Sequence, residues 1–404
     1  MIRKTMEYKT EEGMLCISRL SFLAAALAAA LLFTLCLPRA MVAYASPEFA
    51  RSGEEWAALS DNRLEWGEIP GLVNEYNATV LNNQRAYQKD SGQDAQEIRD
   101  SLLDAADDMD SLAAEADGTA GMGMLAANYR SQAEQLRTQA ENSVSDSDII
   151  RWQYQQVEAN IVQTVQNTFI GYYQSIAEKA QAEAGLPYLE QALASAENRF
   201  NVGAGTRIEV LTAQENLQNA KAALLSSDAR ISSYQKQLQV LCGWKYDAEA
   251  EIGPLPDYDM AEIGSIDLAA DTEKALEGSF QLRIDQRKLE NAPDSTLREQ
   301  YQKTVNTDQQ QIRASVKSAY DALVLAKSDY DTAVSQEALK QQTLEKSKRQ
   351  YELGTISRME YAAAENDAVS AAHAAELKKL AVFSAKTAYD NAVLNGLAQT
   401  GSGS

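Results

Sequence analysis

The chain has 404 residues, 37 Lys+Arg against 58 Asp+Glu, and a formal net charge of −21. So acidic a surface repels phosphate backbones and excludes nucleic acid as a partner, and one His with three Cys leaves no His₃ or Cys₄ zinc site and no disulfide scaffold. Hydrophobic residues at 45% suffice for a folded core, while only 7 Pro beside abundant Ala, Gln, Glu and Leu favour long helices.

Residues 1–45 read as a signal peptide. Arg3, Lys4, Lys9 and Arg19 precede an apolar stretch from Leu20 to Leu37, and Ala43-Tyr44-Ala45 supplies a small-x-small cleavage site before Ser46. An uncleaved anchor is the open alternative, since the apolar stretch is nearly long enough to span a bilayer. Leu35 before Cys36 is too large for lipoprotein processing. Cleavage would leave Cys242 as the only thiol and place the chain outside the cytoplasm, away from ATP and NAD.

Residues 46–146 form an N-terminal helical region, with helices near Glu68–Lys89 and Asp94–Asp117, a turn from Gly118 to Gly123, and a helix to about Asn142. The Asp-rich run lacks the Asp-x-Asp-x-Asp-Gly loop of a calcium site and reads as a solvated helix face. Residues 147–243 carry a heptad pattern. Val210, Leu217, Leu224, Ile231 and Leu238 fall seven apart, with Ala213, Ala220, Ser227, Tyr234 and Leu241 as the second seam. Gly203 ends one helix and Thr206-x-x-Glu209 opens the next as a capping box, so the segment is an antiparallel helical hairpin. Pro187 should kink or break its first helix.

Residues 244–305 are a linker and short helix. Gly253-Pro254-Leu255-Pro256 opens a helix-poor stretch, and 273–291 turn helical again. Residues 306–396 form a second hairpin, with Val316, Leu323, Tyr330, Leu344 and Tyr351 on one grid that Glu337 interrupts. Its last helix carries Tyr361, Ala368, Ala375, Val382 and Tyr389, with Ala364, Ala371, Ala385 and Ala392 beside them. Lys378 breaks that seam toward solvent or a lumen. Gly354 and Ser357-x-x-Glu360 repeat the stop and the capping box, and 397–404 form a flexible tail.

The two hairpins share a register. Ile161, Val165 and Phe169 recur as Ile312, Val316 and Tyr320, an offset of 151 residues that also takes Phe200-Asn201-Val202-Gly203 to Tyr351-Glu352-Leu353-Gly354. A weaker echo links Asn77-Ala78-Thr79-Val80 with Ser279-Phe280-Gln281-Leu282. The pattern is an internal duplication.

Arg199-Phe200-x-x-Gly203-x-x-Thr206-x-x-Glu209 and Tyr351-x-x-Gly354-x-x-Ser357-x-x-Glu360 resemble the paired hairpin-turn signatures of TolC-type outer-membrane efflux proteins. The resemblance covers residues 66–89 and 147–396. It implies a homotrimer whose hairpins build a tunnel, an outer-membrane location, and tips that meet a periplasmic adaptor coupled to a membrane pump. It makes Val202, Gly203, Ala204, Gly205 and Thr206, with Leu353, Gly354, Thr355, Ile356 and Ser357, the adaptor-contact positions. Glu209 and Glu360 become lumen or capping acids. The next inward positions are Thr212 and Ala363, which do not build an acidic ring. The family also places two barrel strands in each repeat. Here 293–305 are too few for two strands, and Asp104, Asp107, Asp108 and Asp110 cannot face lipid, so no β-barrel is expected.

Other chemistry is thin. His373 lies among alanines, Cys242 sits at a helix end, and neither a phosphate loop after a strand nor a Gly-x-Ser-x-Gly elbow occurs. The sequence therefore describes an all-α, non-enzymatic envelope protein without a cofactor. Its function reads as a TolC-like efflux duct subunit, the alternative being a coiled-coil scaffold of the envelope without a transport role.

Overall fold

The computed structural model describes residues 51–118, 123–245, 248 and 250–396. The signal segment and the tail lie outside the described residues. The elements are α1 (Gly53–Ser60), β1 (Arg63–Leu64), α2 (Ile69–Tyr76), α3 (Ala78–Asp90), α4 (Ala95–Asp117), α5 (Gly123–Asn142), α6 (Ser147–Asn201), α7 (Arg207–Leu241), β2 (Glu251–Ile252), α8 (Leu268–Gly278), α9 (Phe280–Asn291), α10 (Ser295–Glu352) and α11 (Arg358–Asn395). The chain divides after Ala57 into two compact units. In the first, Ser52 and Glu55 cap each other through backbone N–H groups at 3.2 and 2.6 Å. β1 and everything after it belong to the second.

The fold is all-α, built on two long antiparallel hairpins. The described strands are a single parallel pair, with Arg63 opposite Glu251 and Leu64 opposite Ile252. In the first hairpin Val210, Leu217, Ser227 and Leu238 are buried against α6, and the seam residues between them are half-buried. Gly171 leaves room for a cross-helix ring, since a Cβ there would lie 2.9 Å from Tyr234 Cζ. In the second, Val305, Ile312, Val316, Leu323 and Ala333 of α10 meet Ala362, Ala368, Ala375, Val382 and Tyr389 of α11. Each fully buried Val or Leu contributes roughly 1.5–3 kcal/mol, and the alanines let the helix axes approach closely. Lys378 turns outward to Asp329 at 2.7 Å.

The hairpins join through α6 and α11. Gln166 accepts a bond from Asn391 at 2.9 Å, Gly185 lies beside Asn366, and Trp66 sets its ring edge-on to Phe169 and Phe383 at 5.5 and 5.0 Å. The long helices therefore lie in the order α7–α6–α11–α10. The acidic segment α4–α5 is a hairpin of its own, closed by Ala106 and Ala113 against Ala126, Ala133 and Ala140. Arg137 holds Asp107 and Asp110 across it at 3.0 and 2.6 Å. Where it returns to α6, the buried Asp146 caps Ile149 N at 2.9 Å and accepts from Arg287 at 2.6 Å and Asn291 at 2.8 Å. Burial opposes ionisation there, yet these bonds hold its carboxyl below the usual range.

Four expectations change. Pro187 does not break α6, which runs unbroken for 55 residues. Both Pro187 and Glu183 are exposed, so the turn that loses its hydrogen bond lies on the solvent-facing side of α6. The helix expected at 68–89 divides at Asn77, and the one at 273–291 begins at Leu268 and divides at Ser279. Helix α10 starts at Ser295 rather than 306, because Asp294 caps Thr296 N and Leu297 N at 2.7 and 2.9 Å. Only 292–294 therefore separate α9 from α10.

Each hairpin ends on one of these short-helix breaks. A Cβ on Gly243, after α7, would collide with Tyr76, and one on Gly396, after α11, would lie 2.7 Å from Ser279 Cβ. Asn77 serves three helices at once. It ends α2, its Oδ1 caps α3 by accepting from Thr79 N and Val80 N, and its Nδ2 donates to Leu241 O at 2.8 Å. Asn77→Ala should therefore destabilise the protein by about 2 kcal/mol, the sum of a lost cap and a lost buried bond. Asn77→Asp, which keeps the cap and loses the amide donor, should fall between. Denaturant melts followed by circular dichroism give the ranking, and an Asn77→Ala curve that overlays wild type would refute the shared-cap account.

Candidate functional site: the hairpin turns

The two turns close at the same end of the helical layer. From the Gly185–Asn366 contact, α6 runs on to Asn201 while α11 is traced back to Arg358. In the first turn Gly203 has φ +73°, its N–H donates to Phe200 O at 3.0 Å, and Ala204 N–H donates to Arg199 O at 2.8 Å. The second repeats this, with Gly354 at φ +69°, Gly354 N to Tyr351 O at 2.9 Å and Thr355 N to Gln350 O at 2.9 Å. Both are Schellman stops, which satisfy the last carbonyls of a helix and need a residue at positive φ.

The restarts differ, and here the expected symmetry fails. Ser357 and Glu360 form a complete capping box, with Ser357 N to Glu360 Oε2 at 2.7 Å and Glu360 N to Ser357 Oγ at 3.2 Å. The backbone bond to Ser357 holds the Glu360 carboxyl below its usual range. Thr206 caps Glu209 N at 3.2 Å, but Glu209 does not reach back. Its Oε2 faces the Arg199 guanidinium at 3.2 Å instead. A Cβ on Gly205 would sit 3.0–3.1 Å from Arg199 Cβ, Phe200 N and that same Oε2, so the missing side chain makes room for the ion pair.

Apolar side chains face solvent at both turns. Val202 is 79% exposed and Leu353 78%. Ala204, Thr206, Thr355 and Ser357 are exposed as well, whereas Gly205, Ile356 and Glu209 are half-buried and Glu360 is exposed. Ile208, 75% exposed, adds to the first turn and edges an open groove of about 340 Å³ lined by Tyr188, Leu189, Glu209 and Thr212. Beside the second turn Tyr351 and Tyr361 stack at 5.2 Å, and Arg358 covers both rings at 5.9 and 5.4 Å. Sequence reasoning missed this stack, although a Tyr on either side of the Gly stop and an Arg after the cap were there to read.

The other candidate chemistry is structural. Cys242 is fully buried, and burial pushes its thiol up to about 12, far from a reactive thiolate. His373 is half-buried on α11. Among the described residues no three His, Cys, Asp or Glu side chains converge to hold a metal ion, and no helix is long and apolar enough to cross a membrane.

No protein-family model matches the chain, and no curated protein matches its sequence. Solved structures do match its backbone. The outer-membrane channel OprN aligns at 12% identity and TM-score 0.50 over 85% of this chain and 93% of that one. A membrane protein from Pseudomonas aeruginosa aligns at 11% identity and TM-score 0.53 over 82% and 90%. The chain has the TolC-type helical fold. At these identities the likeness concerns the fold, and the TolC-type hairpins are present here without a barrel among the described residues.

A Cβ at Gly203 or Gly354 would meet nothing within 4 Å, so a side chain there is opposed by backbone conformation alone. Gly203→Val or Gly354→Val should lower stability by about 1–2 kcal/mol, and the matching Asn variants by less, because Asn tolerates the left-handed region. Gly205→Ala should act differently, through the displaced Arg199–Glu209 pair. Thermal melts of the five variants would separate these causes, and equal losses for Val and Asn would argue against a backbone origin.

Proposed function

We propose that the chain is a duct subunit of an efflux or export assembly in the cell envelope. It forms a homo-oligomer, by resemblance a trimer. Its hairpin turns dock a periplasmic-adaptor-like protein coupled to a membrane pump. The observation that carries this reading is the four-helix layer α7–α6–α11–α10, whose edge helices still carry solvent-facing leucines. On α7 these are Leu211 and Leu225, 49% and 73% exposed, and on α10 Leu325 and Leu339, 64% and 61% exposed. Apolar residues on two different edges suit a head-to-tail interface, in which the α7 edge of one copy covers the α10 edge of the next and the ring closes by rotation.

The export segment and the TolC-type fold together support an envelope location. The described strands are two residues long, against about 9–11 for a membrane-spanning strand, so the described residues build no barrel. In the position of the first pair of strands stands the self-contained α4–α5 hairpin, and in that of the second only the turn at 292–294.

Light scattering on the full chain should return a trimer, and Leu225→Glu with Leu339→Glu should dissociate it without unfolding the hairpins. Val202→Asp and Leu353→Asp should leave the melting curve unchanged, since both side chains already face water, yet abolish adaptor cross-linking and export. A charge brought into an apolar contact must be desolvated without a partner. A monomer at high concentration would favour the envelope scaffold over the duct. Undiminished export by stable, well-expressed tip variants would remove the adaptor from the account while leaving the oligomer.

A further inference from the structure

Asp285 on α9 and Asp308 on α10 meet where these helices pack. Asp285 is 3% exposed, receives a hydrogen bond from Gln281 and is paired with Lys288 Nζ at 3.0 Å. Oδ2 of Asp308 is sealed from solvent and has no hydrogen-bond donor. Two carboxylates facing each other can only accept, and one lysine leaves a net negative charge between them. A proton cures both faults by making one carboxyl a donor to the other.

The nearby cations of α10, Lys303 and Arg313, are engaged elsewhere. From α6, the other long helix packed on α9, the uncharged Gln156 donates to Gln281 at 3.4 Å. Along α10, Lys303 shares a shallow groove with Asp308 but is engaged by Glu299 at 2.8 Å. From α8, which also packs on α10, Glu273 is engaged by Arg313 at 2.9 Å.

We propose that Asp285 and Asp308 form a proton-operated latch between α9 and α10, closed when Asp308 is protonated and donates to the Asp285 carboxylate and slack when Asp308 is ionised. The latch sits on a strut. Helix α9 packs on α6 as well as α10, and its Arg287 and Asn291 hold the Asp146 cap at the start of α6. Acidification of the surrounding compartment would therefore stiffen the joint between the two hairpins.

Burial, then the facing Asp285, pushes Asp308 up to about 6, with Lys288 pulling the other way. An unfolded Asp releases its proton near 3.9. Between those values the folded chain binds more protons than the unfolded one, so stability falls as pH rises through the window and is level above it. The difference corresponds to a change of up to about 100-fold in the opening equilibrium.

Asp308→Asn places an amide donor where the protonated carboxyl would be. On the full chain, this variant should melt above wild type at pH 7.5 and lose that advantage toward pH 4.5. Hydrogen exchange of residues 280–291, compared at equal pH so that intrinsic rates cancel, should be slower in the variant at pH 7.5 and equal at pH 5. Melting and exchange differences that do not change with pH would overturn the latch. Should the variant fail to fold, carboxyl-carbon titration of wild type decides the matter. Asp308 ionising near 6 supports the latch, and ionisation in the ordinary carboxylate range overturns it.

Discussion

A long helix can bury only a narrow stripe of its surface, and most of this structure follows from that limit. Helix α10, at 58 residues, extends about 87 Å, far beyond anything a single core could cover. The stripe must be continuous, so the apolar residues recur at heptad spacing from Val210 to Leu238 and from Val305 to Leu323. Once each helix is committed to its hairpin partner, a second stripe is needed to join the hairpins. Helices α6 and α11 carry one, and α7 and α10 become edges. The layer, its apolar rims and the opening for further copies are consequences of one geometric shortage.

The same shortage explains why the ends are so heavily furnished. Helices that share a seam but little cross-bracing need fixed termini, and here the termini are capped and sealed. Asn77 serves three helix ends, Asp146 ties α6 to α9, and Gly243 and Gly396 let the closing ends of the hairpins lie against Tyr76 and Ser279. At the turns, Schellman stops and side-chain caps do similar work in few residues. That economy leaves Val202 and Leu353 in water with no duty inside the fold.

The long-range pattern was legible in the sequence, because a seam repeated over many turns outweighs local noise. The stops at Gly203 and Gly354 were legible for a related reason, in that Gly followed by Thr or Ser and then Glu has few other uses. Local competition was harder to read. Asn77 interrupts an apolar rhythm that continues on both sides, so rhythm alone joined α2 to α3. Pro187 looked like a breaker because sequence does not say that it would lie on the solvent-facing side of α6. Glu209 had the spacing of a capping box, but Arg199 competes for it from the neighbouring helix, a contact created by the turn itself. Asp308 was hidden in plain view. It lies three residues after Val305 and four before Ile312, both buried, and that places a carboxyl at the margin of the core.

The heptad seam also acts as a ruler. Adding or removing one residue in α6 would rotate everything beyond it by about 100°, carrying Val165 and Phe169 or their partners off the stripe. Seven residues change the length by about 10 Å and leave the stripe nearly in place. Because the turn between α6 and α7 is so short, the two helices would have to gain or lose their heptads together, and the same holds for α10 and α11. The reach of these hairpins is thus quantised: natural or engineered relatives of this chain should differ in span by whole heptads added in matched pairs.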